Sequence, residues 1–180
     1  MTTLQQQPPD MSVLQQYIHT SRYARWLPEE GRRESWNETV DRYINFFENS
    51  YKDNLEHCKQ TVESFPRWSI ISGYYAMHDI TKLFLAKKFR LKIEKEVHAT
   101  TIKVLKELIK NRKILNLIER GYREFIILAN DLSEAKKERI KVQYYTGTKF
   151  LKEQFRKKSI EFLRDVVNPY IEKINKLLSE

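Results

Sequence analysis

Glycine and proline are scarce in this chain of 180 residues, four and five in all. A β-rich domain turns often and uses both residues at its turns, so their scarcity points to long helices. The single cysteine, Cys58, excludes an internal disulfide and a cysteine-based metal cluster. Its place in a helical repeat marks it as a small core residue. No stretch approaches 18 uncharged apolar residues, so no membrane-spanning helix is expected. The first ten residues are polar and lack the apolar core of a secretory signal, which predicts a cytoplasmic protein. Also missing are the phosphate-binding pattern G-x-x-x-x-G-K-S/T, the dinucleotide pattern G-x-G-x-x-G, H-E-x-x-H and paired Cys-x-x-Cys. No metal, cofactor or catalytic residue is assigned on these grounds. The four histidines, His19, His57, His78 and His98, fall in different predicted elements. His78 and Asp79 are adjacent, but helix neighbours point about 100° apart and cannot form a dyad alone. His78 is expected in or near the core, bonded to a helix neighbour.

What the chain has in excess is positive charge, +9 overall. Residues 82–158 hold 22 lysines and arginines against 9 aspartates and glutamates, while the remainder is slightly acidic. A basic centre is the footprint of a surface that meets phosphate or another acidic partner. It is equally what a solvated, lysine-rich helix surface looks like.

Residues 1–12 are polar with a Pro-Pro pair and read as a disordered leader. An aromatic and charged stretch follows, with Tyr17, Tyr23, Trp26 and Trp36 around a turn at residues 28–31. Ser35 and Glu38 have the spacing of a capping box and predict the start of a long helix. Val40, Tyr43, Phe47, Tyr51, Leu55, Cys58 and Val62 then recur at steps of three and four, giving one apolar stripe. Pro66 suits the first turn of a second helix over about 68–88, expected to be the most buried, with Tyr74, Tyr75 and Leu85 inside. Further helices are predicted over about 97–110, 114–128 and 150–178, with 136–145 continuing the fourth after a break near 130–133. Pro169 should kink or divide the last. No strand is expected. The predicted fold is all-α, an antiparallel bundle of four or five helices with an N-terminal arm. Residues 1–34 form the polar leader and aromatic, basic arm; residues 35–180 form the bundle.

The segment Lys136-Lys137-Glu138-Arg139-Ile140-Lys141-Val142-Gln143-Tyr144-Tyr145 combines cations with paired tyrosines. Lys136, Lys137, Arg139 and Lys141 suit phosphate, and Tyr144 and Tyr145 can stack on bases or donate to phosphate. They are the candidate nucleic-acid-binding residues. The alternative is that the tyrosines pack inside and only the lysines meet solvent.

The run Ser72-Gly73-Tyr74-Tyr75-Ala76-Met77-His78, followed by Leu83, Leu85 and Ala86, resembles the second helix of HEPN domains. Arg139 with Tyr144 or Tyr145, ahead of a turn and a long last helix, resembles the Arg…Asp-Tyr element of the same superfamily. The resemblance covers about residues 51–178. It implies a helical bundle that dimerises and works as an RNA-cleaving toxin, as a partner of a nucleotidyltransferase or antitoxin, or as a noncatalytic RNA-binding module. The nuclease members carry an arginine, four to six residues, then a histidine. This chain has Tyr144 or Gln143 where that histidine would fall, and Arg90 and His98 are seven residues apart in another element. A tyrosine with a pKa near 10 is a poor base at pH 7.

Residues 17–43 resemble a second family. Arg22-Tyr23-Ala24-Arg25-Trp26-Leu27-Pro28 and Gly31-Arg32-Arg33-Glu34-Ser35-Trp36-Asn37-Glu38 look like the N-terminal segment of adenosylcobalamin-dependent ribonucleotide reductases. The nucleotide barrel and radical-bearing cysteines of those enzymes are absent from these 180 residues, which excludes reductase activity by this stretch. Arg22, Arg25, Trp26, Arg32, Arg33 and Trp36 are the candidate partner-binding residues of the arm.

Three functions follow as expectations. The first is a noncatalytic HEPN-like module binding RNA or a nucleotide-handling protein. The second is a ribonuclease toxin with a degenerate site built on Arg139 and Tyr144. The third is an adaptor engaging ribonucleotide reductase through the arm.

Overall fold

The computed structural model describes the backbone of residues 11–93, 97–138 and 149–180, and the side chains of those residues except 128–138 and 149–152. The chain divides into two units, Met1–Phe46 and Phe47–Glu180.

In the first unit Ser12 and Gln15 open helix α1 (Val13–Ile18) with a capping box. A π-helical turn follows over His19–Tyr23. Strands β1 (Trp26–Leu27) and β2 (Arg32–Arg33) then pair antiparallel, Trp26 opposite Arg33 and Leu27 opposite Arg32. This ladder corrects the expectation of no strand. The turn between them is closed by the Glu30 N–H donating to the Leu27 carbonyl (3.2 Å). Gly31, at φ +62°, supplies the left-handed residue that returns the chain into β2. Helix α2 (Trp36–Thr61) starts where the Ser35/Glu38 spacing predicts. The Ser35 N–H donates to the Glu38 carboxylate (2.6 Å), and the Glu38 N–H donates to Ser35 Oγ (3.3 Å).

The second unit takes the rest of α2 and adds α3 (Pro66–Phe89), α4 (Val97–Leu108), α5 (Arg112–Glu138), α6 (Lys149–Phe162), a π-helical turn at Leu163–Val167, and α7 (Asn168–Ser179). The fold is an all-α bundle. Polar contacts fix helix directions. Ser50 and Asn54 both donate to Asp79, and Cys58 meets Ser69, so α2 and α3 are antiparallel. Tyr74 stacks on Phe125, and Met77 lies against Gly121, so α3 and α5 are antiparallel too. Lys158 pairs with Glu124, across from α6 to α5.

Helix α3 is the centre. Its residues from Ser69 to Leu85 are buried on nearly every side, with Ile70, Tyr74, Met77, Ile80 and Leu85 at 0 % exposure. A helix apolar all round can only sit inside others. Tyr75 is half-buried, a correction to its expected burial: its ring lies at the edge of Phe125 and His98, so only part of it leaves water. Gly73 lets the rod formed by α6 and α7 close on α3. A Cβ there would fall 2.9 Å from Val167 Cγ2 and 3.0 Å from Cys58 Sγ.

One other boundary differs from the expected one. Helix α5 runs unbroken through residues 130–133. The stretch contains neither glycine nor proline, and a run of Asn, Asp and Ser is not enough to stop a helix already propagating. Pro169 does divide the last helix. It sits in the first turn of α7, where a missing donor is tolerated, and the π-helical turn just before it absorbs the mismatch.

Candidate functional site

The first unit is held by a polar hub on the Glu34 carboxylate, which is 8 % exposed. Arg42 donates to it through Nε (2.8 Å) and Nη2 (2.9 Å). The Arg25 backbone N–H (3.0 Å) and the Thr39 hydroxyl (3.2 Å) donate to the same group. With its proton given to Glu34, the Thr39 hydroxyl accepts from His19 Nε2 (2.9 Å), which places the His19 proton on that nitrogen. Arg42 also reaches the Tyr23 carbonyl (3.1 Å). The guanidinium of Arg42 holds the Glu34 carboxyl down to about 2, against the opposing cost of burial.

This hub assigns different tasks to the arm residues named from sequence. Arg32 makes a two-pronged pair with Glu38 (2.7 and 2.8 Å) and also meets Glu30. It holds the Glu38 carboxyl well below the usual carboxylate range. Arg33 donates to the Ala24 carbonyl (2.8 Å). Both arginines therefore close the unit on itself. Trp36 sets its edge against His19, ring centres 5.2 Å apart. Arg22 and Arg25 are exposed, and Trp26 is 56 % exposed beside them in sequence. Tyr17 and Tyr23 are exposed as well. These five residues are exposed side chains of the unit.

Glu34, Thr39, Arg42 and His19 were not legible as a group, because no spacing rule links a loop carboxylate to a residue two turns into the next helix. The one available signal was a glutamate just before the capping box.

Of the basic segment, Lys136 and Lys137 lie on the α5 backbone. Arg139, Lys141, Tyr144 and Tyr145 lie outside the described residues.

The second unit holds an aromatic and histidine cluster at its core. Tyr74 Oη is 2.8 Å from His98 Nδ1. The His98 and His78 rings are 4.6 Å apart, and both Tyr74 and His98 stack on Phe125. His78 is buried, as expected, with Nδ1 3.6 Å from Asp79. Asp79 is itself taken up by Ser50 (2.7 Å) and Asn54 (3.0 Å), so the His78 contact is a loose one. Burial, then the neighbouring His78 and Lys82, push the His98 pKa below 6.5. Burial pushes the Tyr74 phenol up, so it remains an O–H. Among the described residues, no group of three or more His, Cys, Asp or Glu is placed to hold a metal ion. None of the described helices is long and apolar enough to cross a membrane.

Residues 1–69 match the family model of the ribonucleotide reductase alpha domain. The match runs beyond residues 17–43 on both sides, taking in the Glu34 hub, all of α2 and the first turn of α3. It covers less than half of the chain. No curated protein and no solved structure matches the chain.

Proposed function

We propose that this chain is a noncatalytic interaction module whose first unit engages a ribonucleotide reductase-type protein. The observation that carries this reading is a folded unit, within the stretch similar to the reductase alpha domain, that turns Arg22, Arg25 and Trp26 outward. Arg32, Arg33, Glu34 and Arg42 are consumed in holding that unit together, which leaves the exposed trio for a partner. Exposed tryptophan and arginine are the residue types that anchor protein interfaces.

The test is binding to an adenosylcobalamin-dependent reductase, followed by size-exclusion chromatography and titration. Trp26→Ala and Arg25→Glu should each weaken the complex at least tenfold, about 1.4 kcal/mol or more. Absence of any complex with the intact chain would sink the reading.

A second reading is favoured by the positive charge concentrated in residues 82–158. In it the second unit is a HEPN-like, cytoplasmic and dimeric module that holds RNA, or a nucleotidyltransferase or antitoxin partner. Lys136, Lys137, Arg139, Lys141, Tyr144 and Tyr145 make the contact. The two readings use different units and are compatible. A nuclease version, with Arg139 and Tyr144 at a degenerate site, requires cleavage of RNA by clean protein that is lost in Arg139→Ala.

A further inference from the structure

Helices α4 and α5 leave a groove of about 580 Å³ between them on the second unit. Its floor is aliphatic: Ile102 from α4, Ile126 and Ile127 from α5. Tyr122 completes the floor, with its ring already engaged against Tyr74 in the core at 6.0 Å. The rims are charged. Lys103 and Lys106 stand on the α4 side, and Glu119 and Arg123 on the α5 side. Lys106 and Glu119 neutralise one another across the groove at 2.5 Å. Among the described residues Lys103 and Arg123 have no acidic partner, so each rim keeps one exposed cation.

An aliphatic floor between two cationic rims specifies its occupant by charge and by shape. We infer that the groove docks an amphipathic helix of a protein partner, aliphatic on the face it buries and acidic on both flanks. Helices dock in such grooves through side chains spaced at three and four residues, and the flanking charges set partner choice. RNA fits less well, because bases stack on aromatic faces and the aromatic ring of this floor, Tyr122, is already engaged with Tyr74. A second copy of the chain would bring the same cationic rims to a symmetric contact and repel itself.

The test uses the full chain and two synthetic helical peptides of about 20 residues, each with a leucine stripe, one flanked by glutamates and one by lysines. Anisotropy titration should give binding of the glutamate-flanked peptide and at least tenfold weaker binding of the lysine-flanked one. Ile126→Asp should weaken the first complex at least tenfold. Ile126 is already partly exposed, and a melting curve, with Ile126→Ala alongside, separates lost binding from lost folding. The double variant Lys103→Glu/Arg123→Glu should reverse the preference and take up the lysine-flanked peptide, a gain that no loss of fold can produce. Hydrogen exchange should place the protection on α4 and α5. Equal binding of both peptides by the parent chain, or protection elsewhere, overturns the proposal. So does a single-stranded RNA probe whose binding falls with the charge reversals and ignores Ile126→Asp. None of these outcomes bears on the reductase reading, which is tested at Arg25 and Trp26.

Discussion

Arg42 holds the Glu34 carboxylate with two nearly parallel hydrogen bonds, Nε to one oxygen at 2.8 Å and Nη2 to the other at 2.9 Å. Two-pronged pairs of this kind fix orientation as well as charge. Here the pair ties the loop before α2 to the second turn of that helix. Because the folded Glu34 pKa lies near 2, below the ordinary 4.5, its contribution is complete above pH 4.5 and is lost as pH falls toward 2. Near-UV circular dichroism of Trp26 and Trp36, in a Trp68→Phe background, should lose its signal across that window. Glu34→Gln should weaken the unit by about 1–3 kcal/mol at pH 7 and flatten the acid transition. An unchanged transition would remove Glu34 from the role given to it.

A truncation lacking residues 1–34 takes Glu34 from Arg42 and Thr39, and Arg32 from Glu38. The groups left behind are partly exposed and can return to water, and the shortened chain keeps every residue of α3 to α7. The shortened chain should therefore melt cooperatively, which calorimetry would record. Loss of a cooperative transition would make the arm part of the core.

His98 supplies a second pH dependence, in milder acid. Its folded pKa lies below 6.5, so the stability it lends is present above that pH and falls away as pH drops below it. Urea unfolding at pH 7.5 and at pH 5 should differ by more in the parent than in His98→Asn. Equal differences would assign the acid sensitivity to other groups.

At the centre of the bundle, Leu85→Ala should cost about 2–5 kcal/mol, since Leu85 is fully buried. Gly73→Ala should cost about 1–3 kcal/mol, because its new methyl would press on the branched Val167 side chain. Denaturant midpoints read both. A Gly73→Ala protein as stable as the parent would mean that the π-helical turn carrying Val167 can move away from α3 freely.

For the basic segment, reversing two of Lys136, Lys137, Arg139 and Lys141 to Glu should weaken RNA binding alike across sequences. The salt slope should flatten by about 0.7 for each phosphate of a single strand that is no longer neutralised. Tyr144→Ala should cost about 1–3 kcal/mol if its ring meets a base. Affinity indifferent to the reversals would return these lysines to a solvated surface.

The sequence carried the helices well because their signals are local. The Ser35/Glu38 cap, the stripe through Phe47, Tyr51 and Cys58, and Pro66 at the head of α3 are each read within a few residues. What stayed hidden depends on distant partners. The Tyr74–His98 contact joins residues in different helices, and the Glu34 hub draws its donors from Arg25 ahead of β1 as well as from Thr39 and Arg42 in α2. The two-residue ladder at Trp26–Leu27 is too short for alternation to register. Within the arm, sequence could nominate four arginines but not sort them; hydrogen bonds set Arg32 and Arg33 apart from Arg22 and Arg25.

Cys58 packs with no exposed surface between α2 and α3, its sulfur 3.3 Å from Ser69 Oγ, and burial pushes its thiol pKa up. It is also the only thiol in the chain. The folded protein is therefore silent toward a maleimide or disulfide reagent and becomes reactive when α2 parts from α3. The native sequence thus carries a single-site chemical clock for opening of the bundle. A cysteine introduced at an exposed position can also be labelled without removing the native one.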